Sequence, residues 1–116
     1  MASINWTYEA EQWLQNIHAY IAIDSPKTAN QVVVGIYTKA QILKDFPEIG
    51  YHYRSEPEGD IRILLYGHYR IAYLIKDQQQ IDILGVFHGA MVIENYLKAG
   101  LSEWDSAEDD EAYGDL

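Results

Sequence analysis

The 116-residue sequence contains no cysteine, so neither a disulfide framework nor a thiolate metal site contributes to its fold. That absence fits a reducing compartment. Bases are also scarce: 8 Lys and Arg stand against 18 Asp and Glu, giving a formal net charge of -10. A field of that sign repels phosphates, so direct charge-driven nucleic-acid binding is not expected. No stretch approaches the roughly 20 apolar residues of a membrane span, and Met1 to Thr7 lack the positive segment and apolar run of an export signal. The cytoplasm is the expected location, with no membrane partner. Glycine-rich phosphate loops are missing too, because Gly85-Val86-Phe87-His88-Gly89 has neither the spacing nor the strand-then-loop placement of one. No Gly-x-Ser-x-Gly elbow occurs, and Ser25, Ser55 and Ser102 read as cap and loop residues. His18, His52, His68 and His88 are never three or four residues apart, so no helical metal site is expected. Neither cofactor nor metal is implied.

What is present suits one domain with one core: 48% of residues are hydrophobic and 13% aromatic. The acidity is uneven. Glu103, Asp105, Glu108, Asp109, Asp110, Glu111 and Asp115 crowd the last stretch, leaving 11 acids against 8 bases elsewhere. The expected division is a domain over residues 1–101 and an acidic tail over 102–116, disordered or only conditionally ordered.

Ile4 and Trp6 alternate with polar neighbours as a short strand that must pair elsewhere in a sheet. Thr7 suits a helix N-cap, and Ala10, Trp13, Leu14, Ile17 and Ile21 recur at helical spacing. That helix should stop near Ile23, where Asp24-Ser25-Pro26 offers a cap and a first-turn proline for the next. Ala29, Val32, Val33, Ile36, Ala40 and Leu43 then predict a second helix, ended by Phe46-Pro47 and Gly50. Beyond Gly50 the period falls to two. Strands are predicted over Tyr51–Arg54, from Ile61 to Tyr66, over Tyr69–Ile75 and over Ile81–Phe87, separated by Glu56–Gly59, Gly67-His68 and the polar run Lys76–Gln80. Such short connections demand antiparallel neighbours. The expected fold class is α+β: an N-terminal helical hairpin packed on an antiparallel meander, with a short C-terminal helix from His88 to Ala99 and Gly100 as its terminator.

Few side chains suggest chemistry. Glu56, Glu58 and Asp60 fall in a predicted turn and read as solvated. Arg62 and Arg70 lie within strands, out of phase with Ile61, Ile63, Tyr69 and Ile71, so both can point away from the main core. They form either a solvated sheet face, bridged to Asp82, or an anion-facing or partner-facing surface completed by His88.

The order of elements and several residues resemble the ParE/RelE superfamily of bacterial toxins. The resemblance runs from Trp6 to Leu97 and rests on Trp6-Thr7 with Ala10, Ile17-His18-Ala19-Tyr20-Ile21, Ser25-Pro26 with Ala29, Leu43 through Phe46-Pro47-Glu48-Ile49-Gly50, Arg62 with Leu64, Tyr69-Arg70-Ile71-Ala72-Tyr73, and Ile81 through His88. RelE-like members cut mRNA on the ribosome, using sheet lysines and arginines with a late arginine and tyrosine. By resemblance an RNase would draw on Arg62, Arg70, His88 and Tyr96, but Ile63 or Leu64 and Gly89 stand where further bases are expected. Phe87-His88-x-x-Met91, followed by Tyr96-Leu97, is more similar to the ParE branch, whose members inhibit DNA gyrase by binding. The resemblance then implies a plasmid-stabilisation type of toxin, not an enzyme, that is neutralised by a ParD-like antitoxin, in a hetero-oligomer with it. Tyr20, Tyr37, Arg62, Arg70, His88, Met91 and Tyr96 are the partner-binding candidates, although Tyr20 and Tyr37 read equally well as half-buried core edges. A third reading is a non-toxic, repurposed binding module of the same fold. The acidic tail departs from the usually basic character of such toxins. It acts either as a solubilising extension or as a segment that folds back over Arg62, Arg70 and His88.

Overall fold

The computed structural model describes residues 2–77, 80–89, 91, 93, 96 and 97. In chain order these form β1 (Ser3–Trp6), α1 (Tyr8–Ala22), α2 (Pro26–Ala40), a 3-10 turn (Gln41–Lys44), β2 (Tyr51–Glu56), β3 (Gly59–Tyr66), β4 (Tyr69–Asp77) and β5 (Gln80–His88). The caps expected from sequence are in place. The Thr7 hydroxyl accepts from the Ala10 amide at 3.2 Å and donates to the Ile83 carbonyl at 2.6 Å, so one side chain both starts α1 and ties it to β5. Ser25 accepts from the Thr28 amide at 3.2 Å, with Pro26 opening α2.

The second helix is shorter than its apolar period predicts. It ends at Ala40 and tightens into the 3-10 turn, which keeps Leu43 fully buried and offers the Lys44 carbonyl to the Ala2 amide at 3.1 Å. The strands are longer than predicted. β2 runs on to Glu56, leaving Pro57-Glu58 as the turn, while β4 reaches Asp77 and β5 begins at Gln80, with Gln78 and Gln79 outside the described residues. Ladder hydrogen bonds outweigh the polar side chains that suggested loops there.

Strand order is β1-β5-β4-β3-β2. β2 to β5 make the antiparallel meander, and β1 adds to β5 in parallel, from Ser3 opposite Gln80 to Trp6 opposite Ile83. The sheet is therefore mixed. A parallel return needs a long crossover, which the helical hairpin and meander supply. Between β3 and β4 the turn is only Gly67-His68, and Gly67 takes φ +57°, the positive first position of a two-residue hairpin.

Paired residues share a face of a sheet. Arg62 pairs with Tyr73, Leu64 with Ile71 and Tyr66 with Tyr69, and Tyr69 in turn pairs with His88. This is the helix-facing side, where an added methyl at Gly35 of α2 would meet the Tyr66 ring. The opposite face carries Ile61, Ile63, Ala72, Leu74 and Phe87, all nearly or fully buried. Buried Ile93 and Leu97 belong to the same core, and the Leu97 carbonyl accepts from Arg54, which pairs with Ile61. Of the C-terminal helix expected over His88–Ala99, only His88, Gly89, Met91, Ile93, Tyr96 and Leu97 are described. Its remaining residues, Gly100 and the tail over 102–116 lie outside the described residues.

Candidate functional site

Arg62 and Arg70 do not share a surface. The two-residue turn sets an even-numbered residue of β3 opposite an odd-numbered one of β4, so Arg62 falls on the helix-facing side with Tyr73, while Arg70 falls on the other with Leu65 and Phe87. His88 pairs with Tyr69, four positions from Tyr73, about 13 Å along the strand from the Arg62 row. Each arginine is committed to main chain. Arg62 donates to the Gly50 carbonyl at 2.5 Å and to Glu48 at 3.3 Å. Arg70 donates to the carbonyls of His88 and Gly89 at 3.4 and 3.5 Å and to that of Met91. The expected bridge to Asp82 is not made by either. Asp82, 8% exposed, pairs instead with Lys76 at 3.2 Å and accepts from Asn5 and Gln80, because it sits beside β1 at the far end of β5.

The segment that Arg62 grips is the Pro47-x-x-Gly50 turn singled out in the sequence. The Tyr73 hydroxyl, fully buried, donates to the Pro47 carbonyl at 2.7 Å and accepts from the Gly50 amide at 3.0 Å. Burial raises the phenol's pKa, opposed by its hydrogen bond from Gly50 and the charge of Arg62. A Cβ at Gly50 would lie 2.5 Å from the Ile63 carbonyl oxygen, a main-chain atom that cannot step aside.

The tyrosine candidates part company. Tyr37 packs its ring 4.5 Å from Trp6 and donates to the Glu11 carboxylate at 2.5 Å. Burial, then that hydrogen bond and the carboxylate's charge, push its pKa up to about 12. It is a brace between β1, α1 and α2. Tyr20 is 71% exposed and lines a groove of about 470 Å³ with Ile17 and Ile21 on one wall and Tyr69, Val86, His88 and Met91 on the other. Trp13 and Asn16 complete it. The groove opens because α1 buries Ala10, Trp13 and Leu14 near its start, while Ile17 and Ile21 nearer its end remain only half-covered. Tyr96 instead stacks on Phe87 at 5.7 Å and meets the edge of Trp13 at 5.3 Å.

Of the residues expected to bind a partner, the structure thus gathers Tyr20, His88 and Met91 and separates Tyr37 and Arg62 from them. Ile17, Tyr69 and Val86 were not singled out as site residues. Ile17 is visible in the sequence as part of the apolar stripe of α1, one turn beyond the buried Trp13 and Leu14. His68 also comes within 6.4 Å of His88, ring to ring, across the β4–β5 pairing, a proximity that a 20-residue separation conceals. Of the carboxylates expected in a solvated turn only Glu58 lies in one: Glu56 ends β2 with its side chain 9% exposed and pairs with Arg54 at 2.5 Å, and Asp60 of β3 meets Ser55 at 3.2 Å and His52 at 3.9 Å. Among the described residues no group of three or more His, Asp or Glu is placed to hold a metal ion, and no helix is long and apolar enough to cross a membrane.

The described residues thus form a small α+β domain, a helical hairpin over a mixed sheet, with an open apolar groove and arginines tied to main chain. Residues 4–93 match the family described as ParE toxin of type II toxin-antitoxin system, parDE. The chain belongs to the ParE toxin family. It is similar in structure to a chain of the chromosomal ParDE toxin-antitoxin system from P. aeruginosa, with TM-score 0.62 and 25% identity over 76% of this chain and 96% of that one. No curated protein matches it.

Proposed function

We propose that this toxin inhibits DNA gyrase by binding, in the cytoplasm, and is neutralised by a ParD-like antitoxin with which it forms a hetero-oligomer. The observation that favours binding over RNA cleavage is the divergence of the arginines. Stabilising a phosphoryl-transfer transition state needs donors that converge on one point and are free to meet the developing charge. Arg62 and Arg70 stand on opposite faces and already serve carbonyls of their own chain. The helical hairpin offers a contrasting surface: Tyr8, Tyr20 and Val34 are 73%, 71% and 61% exposed, the kind of apolar positions on which an amphipathic segment settles.

Induced expression with and without a ParD-like antitoxin tests the proposal. The expected result is arrested replication and a DNA-damage response that co-expression abolishes. Cut mRNA with halted translation would favour a RelE-like ribonuclease, and unimpaired growth would leave a non-toxic binding module.

A further inference from the structure

We infer that the chain's own C-terminal segment, centred on Trp104, lies across the sheet face opposite the hairpin, on a corner made by Tyr51, Leu65 and Arg70. The gyrase reading plays no part in this. The register sets these side chains together: Tyr51 pairs with Ile63, Leu65 follows Ile63 on the same face, and Arg70 pairs with Leu65. Most of that face is covered. Ile61, Ile63, Ala72 and Phe87 are at most 1% exposed, and Phe87, whose ring leans over Gly85, carries Tyr96 stacked at 5.7 Å. The corner is left open, with Tyr51 49% and Leu65 55% exposed.

Two further observations say what covers it. The first is where the described chain ends. Leu97 is 1% exposed on this same face, and its carbonyl accepts at 3.0 Å from Arg54, whose strand partner is Ile61. Leu65 stands four positions along β3 from Ile61, about 13 Å away, whereas Trp104, seven residues beyond Leu97, can reach up to about 24 Å from it. The segment thus continues a covering that Ile93, Tyr96 and Leu97 have begun. The second is charge. Arg70 is only half-buried and commits Nη2 alone to the carbonyls of His88, Gly89 and Met91; among the described residues its Nη1 donates to nothing, and no carboxylate stands within ion-pair distance of the guanidinium. Trp104 is flanked by Glu103 and Asp105. Its ring settles on Tyr51 and Leu65 while the flanking carboxylates meet Arg70. Arg62 and His88 lie on the hairpin side and take no part, so Arg70 alone remains of the three-residue surface considered from sequence.

The absence of cysteine makes a direct test simple. Ala107→Cys in the full chain takes one nitroxide label, and methyl signals are read by NMR at low salt. Ile63 and Leu65 should lose most of their intensity to the radical, while Ile21 at the groove and Ile23 and Val34 on the hairpin keep theirs. Two variants of the labelled chain, neither of which alters a described residue, should restore the lost signals: Trp104→Ala, and Glu103→Lys combined with Asp105→Lys. Uniform broadening, no broadening, loss at Ile21 in place of Leu65, or broadening that survives either variant would overturn the proposal. So would broadening seen only between a nitroxide-labelled chain and a separate isotope-labelled chain, which would make a second copy the occupant.

Discussion

Removing one hydroxyl from the core should loosen the turn that joins the helices to the sheet, and the loss should depend on a neighbouring arginine. Tyr73→Phe deletes the donor to the Pro47 carbonyl and the acceptor for the Gly50 amide. The side chain is fully buried and Gly50 is buried too, so water cannot easily replace the lost partner of its amide. An ordinary hydrogen bond contributes about 1 kcal/mol, and a buried group left unsatisfied costs about 1–3 kcal/mol. The Pro47 carbonyl is only partly covered and can rehydrate. The expected destabilisation is therefore about 2–3 kcal/mol, on the order of 10 °C in Tm for a domain of this size. Arg62→Met removes the charged donor to the Gly50 and Glu48 carbonyls of the same turn, and should cost about 1–2 kcal/mol given its partial exposure. Because both side chains hold one short segment and pair directly across β3 and β4, the effects should not add. Urea melts of the parent, both single variants and the double variant measure this. A coupling of at least about 0.5 kcal/mol is expected, with unchanged m-values. Additive losses, or a Tyr73→Phe protein as stable as its parent, would refute the reasoning.

Three further outcomes follow from single contacts. The Tyr37 phenol should titrate near 12, so tyrosinate absorbance of the parent minus that of Tyr37→Phe should rise around that pH; a midpoint near 10 would contradict it. Since the folded value lies above the unfolded one, the stability this group supplies is complete below pH 10 and is lost as pH climbs towards 12. Thr7→Ala loses both the α1 cap and the 2.6 Å tie to Ile83, and should cost about 1–3 kcal/mol in chemical denaturation, against a few tenths for a purely local contact. Arg70→Met should speed hydrogen exchange at the Gly89 and Met91 amides, bonded to His68 and His88, well beyond any change at Arg62's turn; equal protection in both places would show that Arg70 does not hold that segment.

Local chemistry made much of the fold legible. Thr7, Ser25-Pro26 and Pro47-x-x-Gly50 each announce a cap or turn that stands where the sequence places it, and the two-residue Gly67-His68 connection forces an antiparallel pair. What failed to appear was anything set by partners distant in sequence. The alternation of Ile4 and Trp6 marks a strand but cannot name β5 as its neighbour or parallel as its direction. The arginines are instructive, because their separation was within reach. With a two-residue hairpin, residues of equal parity on its two strands face opposite sides, so the single surface expected of Arg62 and Arg70 cannot form. Phase against the flanking residues of one strand does not carry the register that relates two strands. The groove was half legible: Tyr20, His88 and Met91 drew attention, whereas Tyr69 and Val86 join them only through the pairing of β4 with β5.

Gyrase is the target proposed for this ParE-family chain. Purified protein incubated with gyrase, ATP and relaxed plasmid tests it most directly, with supercoiling and protein-linked double-strand breaks read from the same gel. Blocked supercoiling and accumulated breaks that a cognate antitoxin prevents are the expected result. Unimpaired supercoiling without breaks, alongside cleavage of mRNA on added ribosomes, would contradict it.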